Sequence, residues 1–320
     1  MNYNKVKTLY SGGKWSKTIL AVIIYLVFSS VTAFSESRPD LIIGVLPDVD
    51  SIPLLVAEKE GFFEKGGVSV RIERFTSPVN RDTSFQSGSI DGAVSDILAA
   101  LLALNGGFDV RITSLTNGSY KLVASGNSGI KKISDIKGKS VAMSLNTVIE
   151  YCTDRMAASA GLAAGSYGKT VISQIPVRLE MLKAGKVAAA TLPEPLATAA
   201  ASGGSGAVII DSSENHGINP GVMLFSSVSL SQKTKEINAF YTAYNKAVLY
   251  LNNTPSDEID DFLIKECGFP ESVRGVITLP AYTNAALPAE EEFNNVRKWL
   301  EDRKLIKKGI SYRSLTVRIY

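Results

Sequence analysis

The sequence predicts an α/β fold of two sheet-containing lobes followed by a helical tail. Three features of the pattern predict it. From residue 41, short apolar runs alternate with amphipathic stretches. That alternation restarts near residue 120, and from residue 234 onward the pattern is helical alone. In the first round, 41–46 reads as a buried strand and 52–65 as a helix closed by Gly66-Gly67. Residues 68–75 alternate as a strand, 80–87 read as a helix up to Gly88, and 92–95 as a strand. Residues 97–104 form a helix closed by Gly106-Gly107, and 110–115 a further strand. Strands and helices in strict alternation argue for a parallel sheet covered on both faces.

The second round repeats the scheme. Strands are expected at 122–124, 140–144, 170–175, 188–192, 207–210 and 222–226. Between them fall a short turn of helix at 133–136 and helices at 148–160, 178–184 and 196–201. The tail carries helices at 234–252, 256–266, 270–277 and 289–303, with no sheet of its own to cover, so it is expected to pack back on the first unit. This gives one lobe from 36–118 with 226–320 and a second from 119–225. The chain crosses between them near 117–121 and 220–225. Two crossings make a hinge, and closure about a hinge is a standard way to bury a ligand.

Residues 1–33 read as an export signal. Lys5, Lys7, Lys14 and Lys17 precede an apolar run at 19–28, and Ser29-Ser30-Val31-Thr32-Ala33 supplies small residues suited to cleavage after Ala33. The run has about ten residues, half of what a spanning helix needs. No cysteine follows it, which argues against a lipid anchor and for a free periplasmic protein. The net charge of +3 then belongs to the signal: without it 30 basic and 31 acidic residues remain, a near-neutral balance with no footprint for nucleic acid. Cys152 and Cys267 fall on helices of different lobes and are expected to stay unpaired. With a single histidine, His216, they cannot assemble a zinc site of the Cys/His type. No cofactor or metal is expected.

Four motifs recur in order and spacing: Pro53-Leu54-Leu55-Val56-Ala57 with Glu60-Gly61-Phe62-Phe63; Ser87-Gly88-Ser89-Ile90-Asp91-Gly92-Ala93; Asp135-Ile136-Lys137-Gly138-Lys139; and Leu192-Pro193-Glu194-Pro195. Through them the chain resembles the type II periplasmic solute-binding proteins of the sulfonate, nitrate, taurine and thiamine-pyrimidine import group, over roughly 41–306. The resemblance implies a monomer that closes two lobes around a small ligand and delivers it to an ABC permease and its ATPase, without transforming it.

Ligands of such folds sit at the carboxyl ends of strands and the amino ends of helices. Three segments are therefore expected to face the cleft. The first holds Pro47, Asp48, Asp50 and Ser51; Pro47 stiffens the loop and Ser51 can cap the next helix. The second is Ser95-Asp96, with Asp96 placed to cap its helix. The third holds Ser144, Asn146, Thr147 and Tyr151. Thr147 and Glu150 fit a capping box, and such a helix start binds anions or carbonyl oxygens. Tyr151, one turn in, can stack on a flat ring. The resemblance adds Glu194, fixed between two prolines. An excess of carboxylates among these residues suits an amine-bearing nitrogen heterocycle, such as a pyrimidine-type vitamin precursor, better than a sulfonate or nitrate. A pyrimidine-synthase-like enzyme would need a cysteine cluster and a histidine in the cleft, and a ligand-loaded sensor would need the same closing lobes as an importer.

Overall fold

The computed structural model describes residues 39–320, so the export signal lies outside the described residues. Two five-stranded sheets form the framework. The first is built from β1 (Leu41–Val45), β2 (Val70–Arg74), β3 (Gly92–Asp96), β4 (Val110–Leu115) and β10 (Gly221–Ser226), in the order β2-β1-β3-β10-β4. The second contains β5 (Tyr120–Ala124), β6 (Ser140–Met143), β7 (Gly168–Val171), β8 (Ala189–Pro193) and β9 (Val208–Ser212), in the order β7-β6-β8-β5-β9.

Neither sheet is purely parallel, a departure from the alternating pattern. In the first, β10 runs antiparallel between β3 and β4, pairing Val222 with both Ser95 and Leu115. In the second, β5 runs antiparallel between β8 and β9. Each of these strands is the one that follows a crossing. A strand entering a lobe from the hinge must run away from it, whereas its neighbours run toward it. The strand expected at 222–226 therefore belongs to the first sheet, and the boundary at 225–226 expected from the sequence falls inside it. The chain leaves the second lobe before Gly221.

The first lobe carries α1 (Ile52–Lys59), α2 (Phe62–Lys65), α3 (Pro78–Gln86) and α4 (Ile97–Asn105). The second carries α5 (Val148–Ser159), α6 (Ile175–Lys183) and α7 (Leu196–Ser202). The tail comprises α8 (Ser227–Gln232), α9 (Thr234–Asn253), α10 (Ser256–Lys265), α11 (Glu290–Asp302) and α12 (Tyr312–Leu315). The stretch expected as a helix over 270–277 is only a 3-10 turn, Glu271–Val273. As expected, the tail packs on the first lobe: α9 lies on α1 and α2, and α11 lies on α4.

The apolar period of α9 explains its docking. Ile237, Phe240, Tyr241, Tyr244, Val248 and Leu251 recur on one face and are buried. The Phe240 ring stacks on Phe63 at 5.6 Å and meets Phe225 edge-on at 5.7 Å, so it joins α9 to α2 and β10. A second apolar cluster runs from Leu98, Leu101, Val296 and Leu300 of the first lobe to Ile149, Tyr151 and Met156 of the second. The lobes are thus held in contact.

Truncating Phe240 removes the ring that three elements share. Phe240→Ala should lower the unfolding free energy by about 3–5 kcal/mol, read as a fall in the urea midpoint of the purified protein.

Candidate functional site

The contact between lobes closes over three carboxylates. Leaving β1, the chain turns at Leu46-Pro47 and enters a 3-10 turn, Val49–Ser51. The Ser51 hydroxyl donates to the Leu46 carbonyl at 3.0 Å and to Asp48 Oδ1 at 2.8 Å. It therefore braces the loop, and the cap on α1 expected of it is not made. That brace turns Asp48 and Asp50 inward, where they are 6% and 3% exposed. Asp96 closes β3 and caps α4 as expected, accepting from the Ala99 amide at 2.9 Å.

Arg81 of α3 lies beneath them, fully enclosed. Its Nη1 donates to the Val94 carbonyl at 2.9 Å, and its Nη2 stands 2.8 Å from Asp82 Oδ1 and 3.8 Å from Asp96 Oδ2. Asp82 takes most of its charge, so one arginine leaves three buried carboxylates under-compensated. Burial drives all three upward in pKa. Asp48 rises well above the ordinary value, with the Asp50 charge adding to the effect. Burial takes Asp50 to about 6, against the opposing pull of the Thr116 and Tyr120 hydroxyls. Burial also takes Asp96 to about 6, against the Arg81 charge.

Asp50 sits where both crossings pass. Tyr120, the first residue of β5, donates from its hydroxyl to Asp50 Oδ2 at 3.4 Å. A Cβ on Gly118 would stand 2.5 Å from that same oxygen, and one on Gly221 would stand 2.8 Å from Asp50 Oδ1 and 2.6 Å from Thr116 Oγ1. Only glycine lets both strands come this close to the carboxylate.

The second lobe closes the cavity with Val148 and Ile149 of α5, Ile175 of α6, and Pro193. The enclosed space is about 20 Å³, room for a single water. Ser95 lines it too, 4% exposed, and its hydroxyl has no hydrogen-bond partner. The amino end of α5 arrives without a side-chain cap. Thr147 donates instead to the Ser144 carbonyl at 3.0 Å, and Glu150 accepts from the Asn146 amide at 2.6 Å, so the expected capping box is not formed.

Of the residues expected at the site, Asp48, Asp50 and Asp96 meet in the cavity, and Ser51 positions the first two. Pro47 is half-buried at the edge of the same loop. Asn146 is exposed, at φ 55°, and lies outside the cavity lining. Tyr151 does not line it either: its ring packs edge-on against Trp299 at 5.8 Å and its hydroxyl donates to Glu292 Oε1 at 3.2 Å. The ring is a turn too far from the amino end of α5 to reach the cleft. Glu194 is committed within its own lobe, with Lys121 Nζ at 2.6 Å, the Thr198 hydroxyl at 2.7 Å and the Thr198 amide at 3.0 Å.

Arg81 and Tyr120 were not anticipated as site residues. Arg81 sits mid-helix in a polar stretch and carries no local signal. Ser95, adjoining Asp96 at a strand end, shared the positional signal that marked its neighbour. A further residue stands apart. Arg178 of α6 is 0% exposed; its Nη1 donates to Ser144 Oγ at 3.3 Å, and its Nε and Nη2 have no partner. Burial lowers its pKa to about 9. Cys152 and Cys267 are buried and unbonded. Among the described residues no group of three or more His, Cys, Asp or Glu side chains could hold a metal ion, and no helix is long and apolar enough to cross a membrane.

The profile of the family described as NMT1/THI5 like matches residues 48–258. No curated protein sequence matches the chain significantly. Among solved structures, the alkanesulfonate-binding protein of Xanthomonas axonopodis pv. citri, bound to MOPS, has a TM-score of 0.74 at 19% identity, covering 87% of this chain and 98% of its own. The periplasmic nitrate-binding protein of Synechocystis PCC 6803 has a TM-score of 0.72 at 13% identity, covering 86% and 83%. A desulfurization enzyme has a TM-score of 0.63 at 13% identity, covering 87% and 96%. At these identities the shared property is the fold: two lobes, each a mixed five-stranded sheet with helices.

The raised carboxyls fix the sign of a pH dependence. Asp50 and Asp96 hold protons more tightly folded, at about 6, than unfolded, where an aspartate titrates near 3.8. Their contribution to stability is therefore greatest below pH 4 and is lost as pH rises through 6. Thermal unfolding of ligand-free protein should show a lower midpoint at pH 7 than at pH 5, and Asp96→Asn should flatten that slope. A slope unchanged by the substitution would place the proton uptake elsewhere.

Proposed function

Since the chain belongs to the NMT1/THI5-like family, we propose that it is the periplasmic substrate-binding component of an ABC import system, one that captures a small molecule between its lobes and presents it to a permease and its ATPase. The fold supports this reading, since the sulfonate- and nitrate-binding structures share the same two-lobed fold. The export signal read over 1–33 agrees with a working place outside the cytoplasm. The desulfurization enzyme carries the same fold, so the site must decide between binding and turnover. The residues lining this cavity include neither the cysteine nor the histidine that a pyrimidine-synthase-like enzyme would need.

The observation that carries the choice of ligand is the convergence of Asp48, Asp50 and Asp96, buried and under-compensated, with the unpartnered Ser95 hydroxyl. Such a site gains most from a group that donates several hydrogen bonds and brings positive charge. We therefore read the ligand as an amine-bearing nitrogen heterocycle of pyrimidine type. Opening of the lobes admits it, and closure is favoured only by the contacts it adds in the closed form. A second reading rests on Arg178, whose buried and largely unpartnered guanidinium suits an anion beside the uncapped start of α5.

Calorimetry of the purified protein with 4-amino-5-hydroxymethyl-2-methylpyrimidine and with ethanesulfonate separates the two. Binding of the aminopyrimidine, weakened roughly 10–100-fold by Asp96→Asn as expected for loss of a charge-assisted hydrogen bond of about 1.5–3 kcal/mol, is the expected result. Binding of the sulfonate alone, lost in Arg178→Gln, would keep the importer and reverse the ligand. Turnover of either compound would overturn the binding-protein reading.

A further inference from the structure

The lobes are joined a second time, outside the cleft. Helix α5, whose first turn lines the cavity through Val148 and Ile149, presents Glu150 in that same turn and Asp154 one turn further along. Lys169, on the same lobe, stands 2.7 Å from Glu150 Oε1 and 2.9 Å from Asp154 Oδ1. Within that lobe, two carboxylates thus share one ammonium. The missing positive charge comes from the other lobe: Arg303, directly after α11, pairs with Asp154 and lies 3.5 Å from Glu150 Oε1. Its guanidinium also covers the Trp299 ring at 4.1 Å, a stacked arrangement in which arginine is favoured. Beside it, the Tyr151 hydroxyl donates to Glu292 of α11 at 3.2 Å, and the Tyr151 ring meets Trp299 edge-on. These residues flank a surface groove of about 540 Å³ that spans the two lobes.

We propose that this cluster is an inter-lobe clasp that holds the protein closed in the absence of ligand. Glu150 and Asp154, which share Lys169 within their lobe, gain a second cation, Arg303, only when the lobes meet. The Glu150 side chain is 5% exposed and those of Asp154, Lys169 and Arg303 are 16%, 20% and 33% exposed, so the network is better shielded from water than an isolated surface pair, which contributes little. Because α5 carries cleft wall and clasp within its first two turns, whatever repositions that helix acts on both. The clasp sets the closed fraction from which ligand binding starts; because the open form admits ligand, apparent affinity scales with the open fraction the clasp leaves. This goes beyond the importer reading and does not depend on the ligand.

The test needs no ligand. Spin labels on Val79→Cys and Val208→Cys, exposed positions on opposite lobes, report the inter-lobe distance by double electron–electron resonance, with the radius of gyration from X-ray scattering as a label-free check. At 50 mM NaCl one short-distance population is expected. Arg303→Gln should add a longer-distance population at least several-fold larger than in the parent, and the charge swap Arg303→Asp with Asp154→Arg should restore the short one. Lys298→Gln, which removes a pair internal to α11, should change nothing. Superimposable distributions for Arg303→Gln and parent, or a parent already open, would overturn the clasp. Opening by Arg303→Gln without rescue by the swap would overturn its ionic basis. Should Arg303→Gln fail to fold, raising NaCl from 50 mM to 1 M on the parent serves instead: the longer distances must grow, and a constant distribution overturns the proposal.

Discussion

Asp50 is the constraint around which the rest of the molecule is arranged. Its carboxylate is buried where both chain crossings pass, and each crossing presents a glycine to it because a methyl group would collide with one of its oxygens. Tyr120 begins the second sheet with its hydroxyl on that carboxylate, and Gly221 begins the strand that returns to the first. The two antiparallel strands of an otherwise parallel architecture are thus the two that start beside Asp50. A buried carboxylate is costly unless hydrogen-bonded or neutralised. Its retention at this point ties hinge geometry to the electrostatics of the cleft.

The same cavity has room for only one water in the closed form, so anything larger enters only as the lobes part. Closure brings Asp48, Asp50 and Asp96 into a space that Arg81 cannot neutralise alone, since Asp82 already holds it. In the closed form burial therefore makes these carboxyls hold protons more tightly than water would. What holds that form closed must lie elsewhere. The apolar contact of α4 and α11 with Tyr151 and Met156 of α5 and the charge network at Arg303 both lie outside the cavity. Closure and recognition are physically separable in this chain, although one helix participates in both.

Much of the architecture was legible because hydrophobic period and glycine punctuation are local. The strand–helix alternation, the restart near residue 120 and the docking of the tail all follow from apolar residues at helical or strand spacing. The sense of a strand is not local. Residues 222–226 read the same whether parallel or antiparallel, and only hydrogen bonding to β3 and β4 assigns them to the first sheet. The site shows the same division. Asp48, Asp50 and Asp96 follow strand ends, where the fold places its ligand, so position alone marked them. Tyr151 and Glu194 carried equally good local signals, yet Trp299 and Glu292 turn one away and Lys121 and Thr198 occupy the other.

By itself the sequence determined the two-lobed α/β class, the near-neutral charge of the chain beyond its lysine-bearing start, and the acidic character of the cleft, because composition and periodicity depend on residues close in the chain. Tertiary structure alone decided which carboxylates share the cavity, that Arg81 lies beneath them, and that Arg178 is left buried with little to bond. Partnership between side chains far apart in sequence depends on where the backbone returns in space, and on which lone pair or proton is left over once nearer partners have been satisfied. Neither quantity is encoded at the position of any one residue.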